Sequence, residues 1–204
     1  RLDAVWAAGS AAGGLAAADN LTGAKTLHVW IFRRTGGVDD YFFSTSLTPT
    51  IPDSGTKKRR IRSIWWDGSA IQGTTQLGDD VELKAPLLVV NATNPGTAAV
   101  TATLTGVPTG IELLVRGHVL LRNGTSTVLD AYISSLTQTD LAPSQTIAPL
   151  AAAGSSISAT IDHYALWRAK TNTSAQIRYR LNASGVADII RMVVTGWTDT
   201  RGRG

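Results

Sequence analysis

Three kinds of side chain in this sequence are equipped for chemistry. The carboxylates fall in two clusters, Asp79-Asp80 with Glu82 and Asp39-Asp40. Glycoside hydrolysis needs two carboxyl groups facing each other across a sugar bond. Neighbours in a strand point to opposite faces, so Asp79 and Asp80 cannot form such a pair, although Asp80 and Glu82 share a face. Solvation of turns and strand edges accounts for both clusters. Such oxygens also suit Ca²⁺, but neither cluster has EF-hand spacing. His28, His118 and His163 lie far apart, and no cysteine accompanies them, so no short-spaced metal-ligand pair exists. A Ser–His–carboxylate hydrolase would carry a G-x-S-x-G elbow, and none is present. The sequence is therefore expected to supply no catalytic residues, no metal ligands and no cofactor site.

The third group is cationic. Lys57-Lys58-Arg59-Arg60-Ile61-Arg62 is followed at once by Trp65 and Trp66. On a regular strand Arg60, Arg62, Ile64 and Trp66 occupy one face. Exposed, that face offers cations to a phosphate or acidic sugar and an indole to a ring. The expected site is accordingly Arg60, Arg62 and Trp66, contacting an anionic glycan or lipopolysaccharide. A competing account makes the run a guard of positive charge on an edge strand. Trp65 and Trp66 cannot both point inward, so one must meet solvent, a partner or a ligand. Most of the six Trp are expected to fill the core. Asn-x-Ser/Thr triplets at Asn20, Asn91, Asn123, Asn172 and Asn182 fit chance in a chain rich in these residues.

The elements that must position these residues read as almost wholly β. Thr26–Phe32 is β-branched and aromatic, stops at Thr35-Gly36-Gly37, and returns through Asp40–Ser44. Arg60–Trp66 closes at Asp67-Gly68. Asn123-Gly124 predicts a hairpin joining 111–122 to 126–134. His163, Ala165 and Trp167 alternate with Asp162 and Tyr164, extending a pattern that starts at Ile157, as a half-buried strand requires. Short helical turns are expected at 3–8 and 136–141, and a loop at 11–18. About a dozen short strands predict one antiparallel, jelly-roll-like β-sandwich over 1–204, with a soft subdivision at 91–96. Charged residues are 17% of the 204, low for a cytosolic enzyme, and the net charge of +4 comes mostly from the basic run. No apolar stretch reaches the ~20 residues of a membrane span, so membrane insertion is not expected; nucleic acid is not an expected partner either.

Several strings are distinctive: Val38-Asp-Asp-Tyr-Phe-Phe-Ser-Thr-Ser46, Lys58-Arg-Arg-Ile61, Asp67-Gly-Ser69, Gln76-Leu-Gly-Asp79, Gln138–Ser144, Asn172–Arg178 and Gly196–Arg203. With Leu2–Gly9, Gly13-Gly-Leu15 and His28-Val29, they resemble in order the C-terminal region of a family of tailed-bacteriophage and prophage tail-fibre proteins. Arg62, Trp65-Trp66 and Leu27 depart from that pattern. The resemblance implies a C-terminal fragment of a longer fibre, located on the virion. It also implies homotrimers, neighbouring tail or baseplate proteins, and host-surface attachment without catalysis. A purely structural virion protein (head fibre, baseplate or trimer cap) is the alternative, and a depolymerising tailspike a more distant one. Open edge strands that need covering point the same way, toward a homotrimer.

Overall fold

The computed structural model describes residues 2–8, 13–124, 128–144, 153–154 and 162–201. The expected all-β antiparallel fold is what it shows. Among the described residues the one helical element is the 3-10 turn Pro52–Ser54. The turns expected at 3–8 and 136–141 are not helical. Backbone pairing takes the first, since Trp6 N–H donates to the Leu15 carbonyl at 2.7 Å and Leu15 N–H to Ala4. In the second, Ser135 N–H is captured by the Gln138 side chain at 3.0 Å, closing a tight turn.

The chain falls into two compact units. The first takes residues up to Gln72 together with Gly106–Gly110 and the chain from Asp199; the second takes Gly73–Thr105 and Ile111–Thr198. The Asn91–Gly96 stretch, expected as a soft boundary, lies inside the second unit.

The first unit is built on β1 (Lys25–Arg33), β2 (Asp39–Ser44) and β3 (Lys57–Trp66), ordered β2-β1-β3. Gly37, at a φ of 79°, makes the turn between β1 and β2. The outer edge of β2 is covered by Gly14–Ala16, through Phe43 N–H to Gly14 O and Ala16 N–H to Phe43 O. Both faces of this sheet are packed. Leu15, Leu27, Val29 and Ile64 form one cluster, and Ala16, Trp30, Phe32 and Phe42 the other.

One irregularity governs the whole sheet. Val29 pairs with Arg62 while Trp30 pairs with Arg60, so Ile61 is an extra residue on β3. A bulge of this kind reverses which face each residue on its far side meets. Arg62, Ile64 and Trp66 share the Leu27–Val29 face, whereas Arg60 shares the Trp30–Phe32 face.

The second unit is a sandwich of two antiparallel sheets. One runs β10 (Asp162–Lys170), β7 (Leu114–Arg122), β12 (Ile189–Thr198), β5 (Asp80–Thr93) and β4 (Thr74–Leu77). The other runs β6 (Val100–Thr103), β11 (Gln176–Leu181), β8 (Asp130–Ser134) and β9 (Ala153–Gly154). Alternate residues Val115, Val119, Leu121, Ile190, Met192 and Val194 are buried on the first sheet, and Ala131, Ile133, Ile177, Tyr179 and Leu181 on the second. Gly117 sits opposite Trp167 on β10, and the Trp167 indole lies across it to donate to His118 O at 3.1 Å.

The hairpin expected at Asn123-Gly124 does not form: β7 and β8 belong to different sheets. The dipeptide serves a close approach instead. Gly124 N–H donates to Asp188 Oδ1 at 2.7 Å, and a Cβ on Gly124 would stand 2.3 Å from that of Ala187. The alternation expected for β10 holds from His163 onward, with Trp167 buried and Tyr164 exposed; residues 157–161 lie outside the described residues.

Candidate functional site

Arg60, Arg62 and Trp66 are not brought together. Arg60 is buried and forms a bidentate pair with Asp199, Nη1 to Oδ2 at 2.7 Å and Nη2 to Oδ1 at 2.9 Å. Its Nη1 also donates to Ser63 Oγ at 2.8 Å, and Ser63 Oγ shares a 2.7 Å hydrogen bond with His28 Nδ1. Arg62 is half-buried, and desolvation lowers its pKa from the ordinary guanidinium value. Trp66 packs on the Leu27–Val29 cluster and donates its indole N–H to Leu21 O at 3.2 Å. Trp65 is half-buried on the opposite face, so neither indole is fully exposed. The physical reason is the Ile61 bulge, which turns Arg60 away from the face that Arg62 and Trp66 occupy.

The His28–Ser63–Arg60–Asp199 chain contains the residue types of a hydrolytic triad. However, Ser63 and His28 are each 1% exposed, so no substrate reaches them in this arrangement. Burial first, and then the Arg60 charge, push the His28 imidazole down to about 4, which keeps it neutral at ordinary pH. With Thr26 bonded to Thr109, through both Oγ1 and the Thr109 N–H, this network fastens the returning segments onto the β1–β3 face.

The acidic clusters are likewise engaged. Asp80 Oδ1 accepts from Thr198 Oγ1 at 2.8 Å and Arg116 Nη1 at 3.0 Å, and both bonds hold its carboxyl below the ordinary range. Glu82 lies 3.6 Å from the same guanidinium. A general acid needs the opposite shift. Asp39 faces Arg33 across β1 in a two-point pair, 2.9 and 3.3 Å. Among the described residues no group of three or more His, Asp or Glu side chains could hold a metal ion.

Two concavities mark the first unit. The larger, about 650 Å³, is walled by Trp6, Ala16, Ser44 and Ile51 with Asp19 and Asp53 at its margin. Its polar groups are spent internally: Asp19 accepts from Thr45 N–H, Asp53 from Arg34 Nε, and the Arg34 guanidinium lies 5.6 Å over the Trp6 ring. The smaller, about 360 Å³, is lined by Ile31, Phe32, Arg33, Asp39 and the Lys57-Lys58-Arg59 run. Lys58 is drawn to Pro49 O and the Trp30 ring. Lys57 and Arg59 are exposed and make no ion pair or side-chain hydrogen bond among the described residues. Register places them in two rows on one face, Asp39–Arg33–Lys57 and Tyr41–Ile31–Arg59. The sequence pointed to the basic run as a whole; the break in period at Ile61, which parts Arg60 from Arg62 and Trp66, has no compositional signature.

No family model matches the chain, no curated protein matches it, and no solved structure matches it.

Proposed function

We propose that this chain is a non-enzymatic domain of a tailed-phage appendage that attaches the particle to the host surface. It would work as a homotrimer on the virion, beside other tail or baseplate proteins. The order of its distinctive strings carries the phage assignment; the assembly is supported by a mostly apolar row crossing an open sheet face. On the outer side of the five-stranded sheet, Leu166, His118, Val193 and Leu88 stand in register across β10, β7, β12 and β5. Tyr164 and Leu120 flank them. Leu166, Tyr164 and Leu88 are 75%, 70% and 58% exposed. A contiguous patch of this kind marks an interface. A face of this kind on a sheet with two free edges suits packing of copies that closes as a ring.

Immunogold labelling with an antibody against the chain tests the assignment on particles released by the strain that encodes it. Label at the tail tip or a fibre, together with blocked adsorption by the same antibody, is the expected result. Label at the head or collar with adsorption intact would favour the structural alternative, and unlabelled particles would remove the virion assignment. Light scattering of the purified protein is expected to give three copies, and Leu166→Glu to give monomers. A monomeric wild type would remove the trimer. Release of reducing ends from host polysaccharide would restore the depolymerising reading.

A further inference from the structure

We propose that the groove bounded by Arg33, Lys57 and Arg59, with Tyr41 on its flank, binds an anionic saccharide, the cations holding its oxyanion and Tyr41 its ring. The inference rests on the attachment reading only for the source of that sugar. Its ground is the distribution of charge that the Ile61 bulge creates. The basic run spans six residues in sequence. In the fold Arg60 is withdrawn to the opposite face and neutralised by Asp199, and Arg62 is half-buried on the far side of the bulge. Lys58 turns to Pro49 and Trp30 on the other face, so three cations, Arg33, Lys57 and Arg59, remain on the groove's face against a single carboxylate, Asp39, which Arg33 already engages. Lys57 and Arg59 are thus left with positive charge directed at solvent on either side of Ile31, which shares their face.

Edge protection explains exposed lysines on β3, because a charged edge repels a second sheet. It does not explain the concavity, nor the aromatic ring opposite. Tyr41 is 53% exposed and lies across β1 from Arg59 on the same face. Two strand spacings separate them, roughly 10 Å. That gap accepts one ring with a charged substituent. A nucleic-acid strand is a poorer fit, since it needs a longer cationic track and successive stacking platforms. Here the track stops at the bulge, and Trp65 and Trp66 are taken up by the fold. The shared ligand chemistry is an oxyanion carried on a sugar, either a uronate carboxylate or a phosphate ester.

Calorimetric titration of the whole chain tests this with five probes: trigalacturonate, glucose 1-phosphate, maltotriose, inorganic phosphate and a single-stranded oligonucleotide. One or both charged sugars are expected to bind, more weakly as salt rises, and maltotriose is not. Preference between the two identifies the oxyanion. Lys57→Ala and Arg59→Ala should each weaken binding about three- to fivefold, the range of an exposed charge pair, and the double variant more than tenfold. Tyr41→Ala should weaken the sugars and leave inorganic phosphate unaffected. Arg62→Gln should leave every probe unaffected. All four positions are exposed or half-buried, and unchanged thermal melting confirms that the variants are folded.

Charged-sugar binding that survives Lys57→Ala/Arg59→Ala overturns the site. Inorganic phosphate binding as tightly as the sugars overturns the saccharide assignment. So does tighter binding of the oligonucleotide. Adsorption separates this site from the attachment reading. If the double variant blocks adsorption as well as wild type, the groove is not the contact although attachment stands. If wild type binds charged sugar but blocks nothing, attachment fails and the groove stands.

Discussion

Two Arg–Asp pairs in the first unit have almost the same chemistry and very different surroundings, which allows burial to be tested alone. Arg60–Asp199 is bidentate at 2.7 and 2.9 Å with side chains 8% and 3% exposed, and Arg33–Asp39 is bidentate at 2.9 and 3.3 Å with side chains about half exposed. Removing one partner of a buried pair costs roughly 3–5 kcal/mol, because the remaining charge stays desolvated. Removing one partner of an exposed pair costs about 0–1 kcal/mol. Asp199→Ala should therefore destabilise by about 4 kcal/mol. Asp199→Asn should cost about 3 kcal/mol, since its carbonyl still accepts one guanidinium N–H. Asp39→Asn should cost less than 1 kcal/mol. Asp199 also accepts Arg201 N–H at 2.8 Å, so the loss should loosen the returning C-terminal segment as well. Urea unfolding followed by Trp fluorescence reads this directly, because Trp6, Trp30, Trp65 and Trp66 all lie in the first unit. The midpoint should shift at constant slope. Arg60→Met combined with Asp199→Leu should recover most of the stability, because no buried charge is then orphaned. Equal losses for Asp199→Asn and Asp39→Asn would refute the reasoning, as would a double variant no better than the single ones.

Two further outcomes are expected. His28 has a folded pKa of about 4 against an ordinary 6.5. As pH falls the unfolded chain takes up its proton first, so stability is full above about 6.5 and drains as pH approaches 4. The total is about 3 kcal/mol, and a urea midpoint independent of pH across that window would contradict it. His28→Gln should flatten the dependence. Gly117→Ala places a Cβ 1.8 Å from Val193 O and 2.9 Å from Trp167 Nε1. It should cost about 3 kcal/mol, the upper end of overpacking, in thermal unfolding; a loss under 1 kcal/mol would show that β7 and β12 separate easily.

What the sequence made legible was whatever depends on local period. Thr26–Phe32 with its glycine turn, the Asp67-Gly68 turn and the alternation of His163–Trp167 all appear in the fold as expected, because each rests on residues adjacent in the chain. Asn123-Gly124 misled because its backbone freedom has two uses, a tight hairpin or a close approach. Only the distant Ala187 and Asp188 decide between them. Trp65 and Trp66 were expected to split between core and outside; instead both are half-buried, because both faces of the β1–β3 sheet are covered by segments from elsewhere in the chain.

The candidate site shows most plainly why a charge pattern in sequence is not a charge pattern on a surface. Alternation assigns faces by counting from any residue, so one uncounted residue reverses everything beyond it. Ile61 is that residue. On its C-terminal side Arg62, Ile64 and Trp66 keep the relation that the period demands. On its N-terminal side Arg60 moves to the Trp30 face, where Asp199, arriving from 139 positions away, neutralises it. Arg59 and Lys57 move the other way, onto the face of Ile31 and Tyr41. The bulge therefore does two things with one insertion. It draws a single arginine inward to fasten the fold, and it gathers the cations that remain exposed beside the one exposed tyrosine of the sheet. An anionic sugar would be met by the second group only because the first has been removed from it.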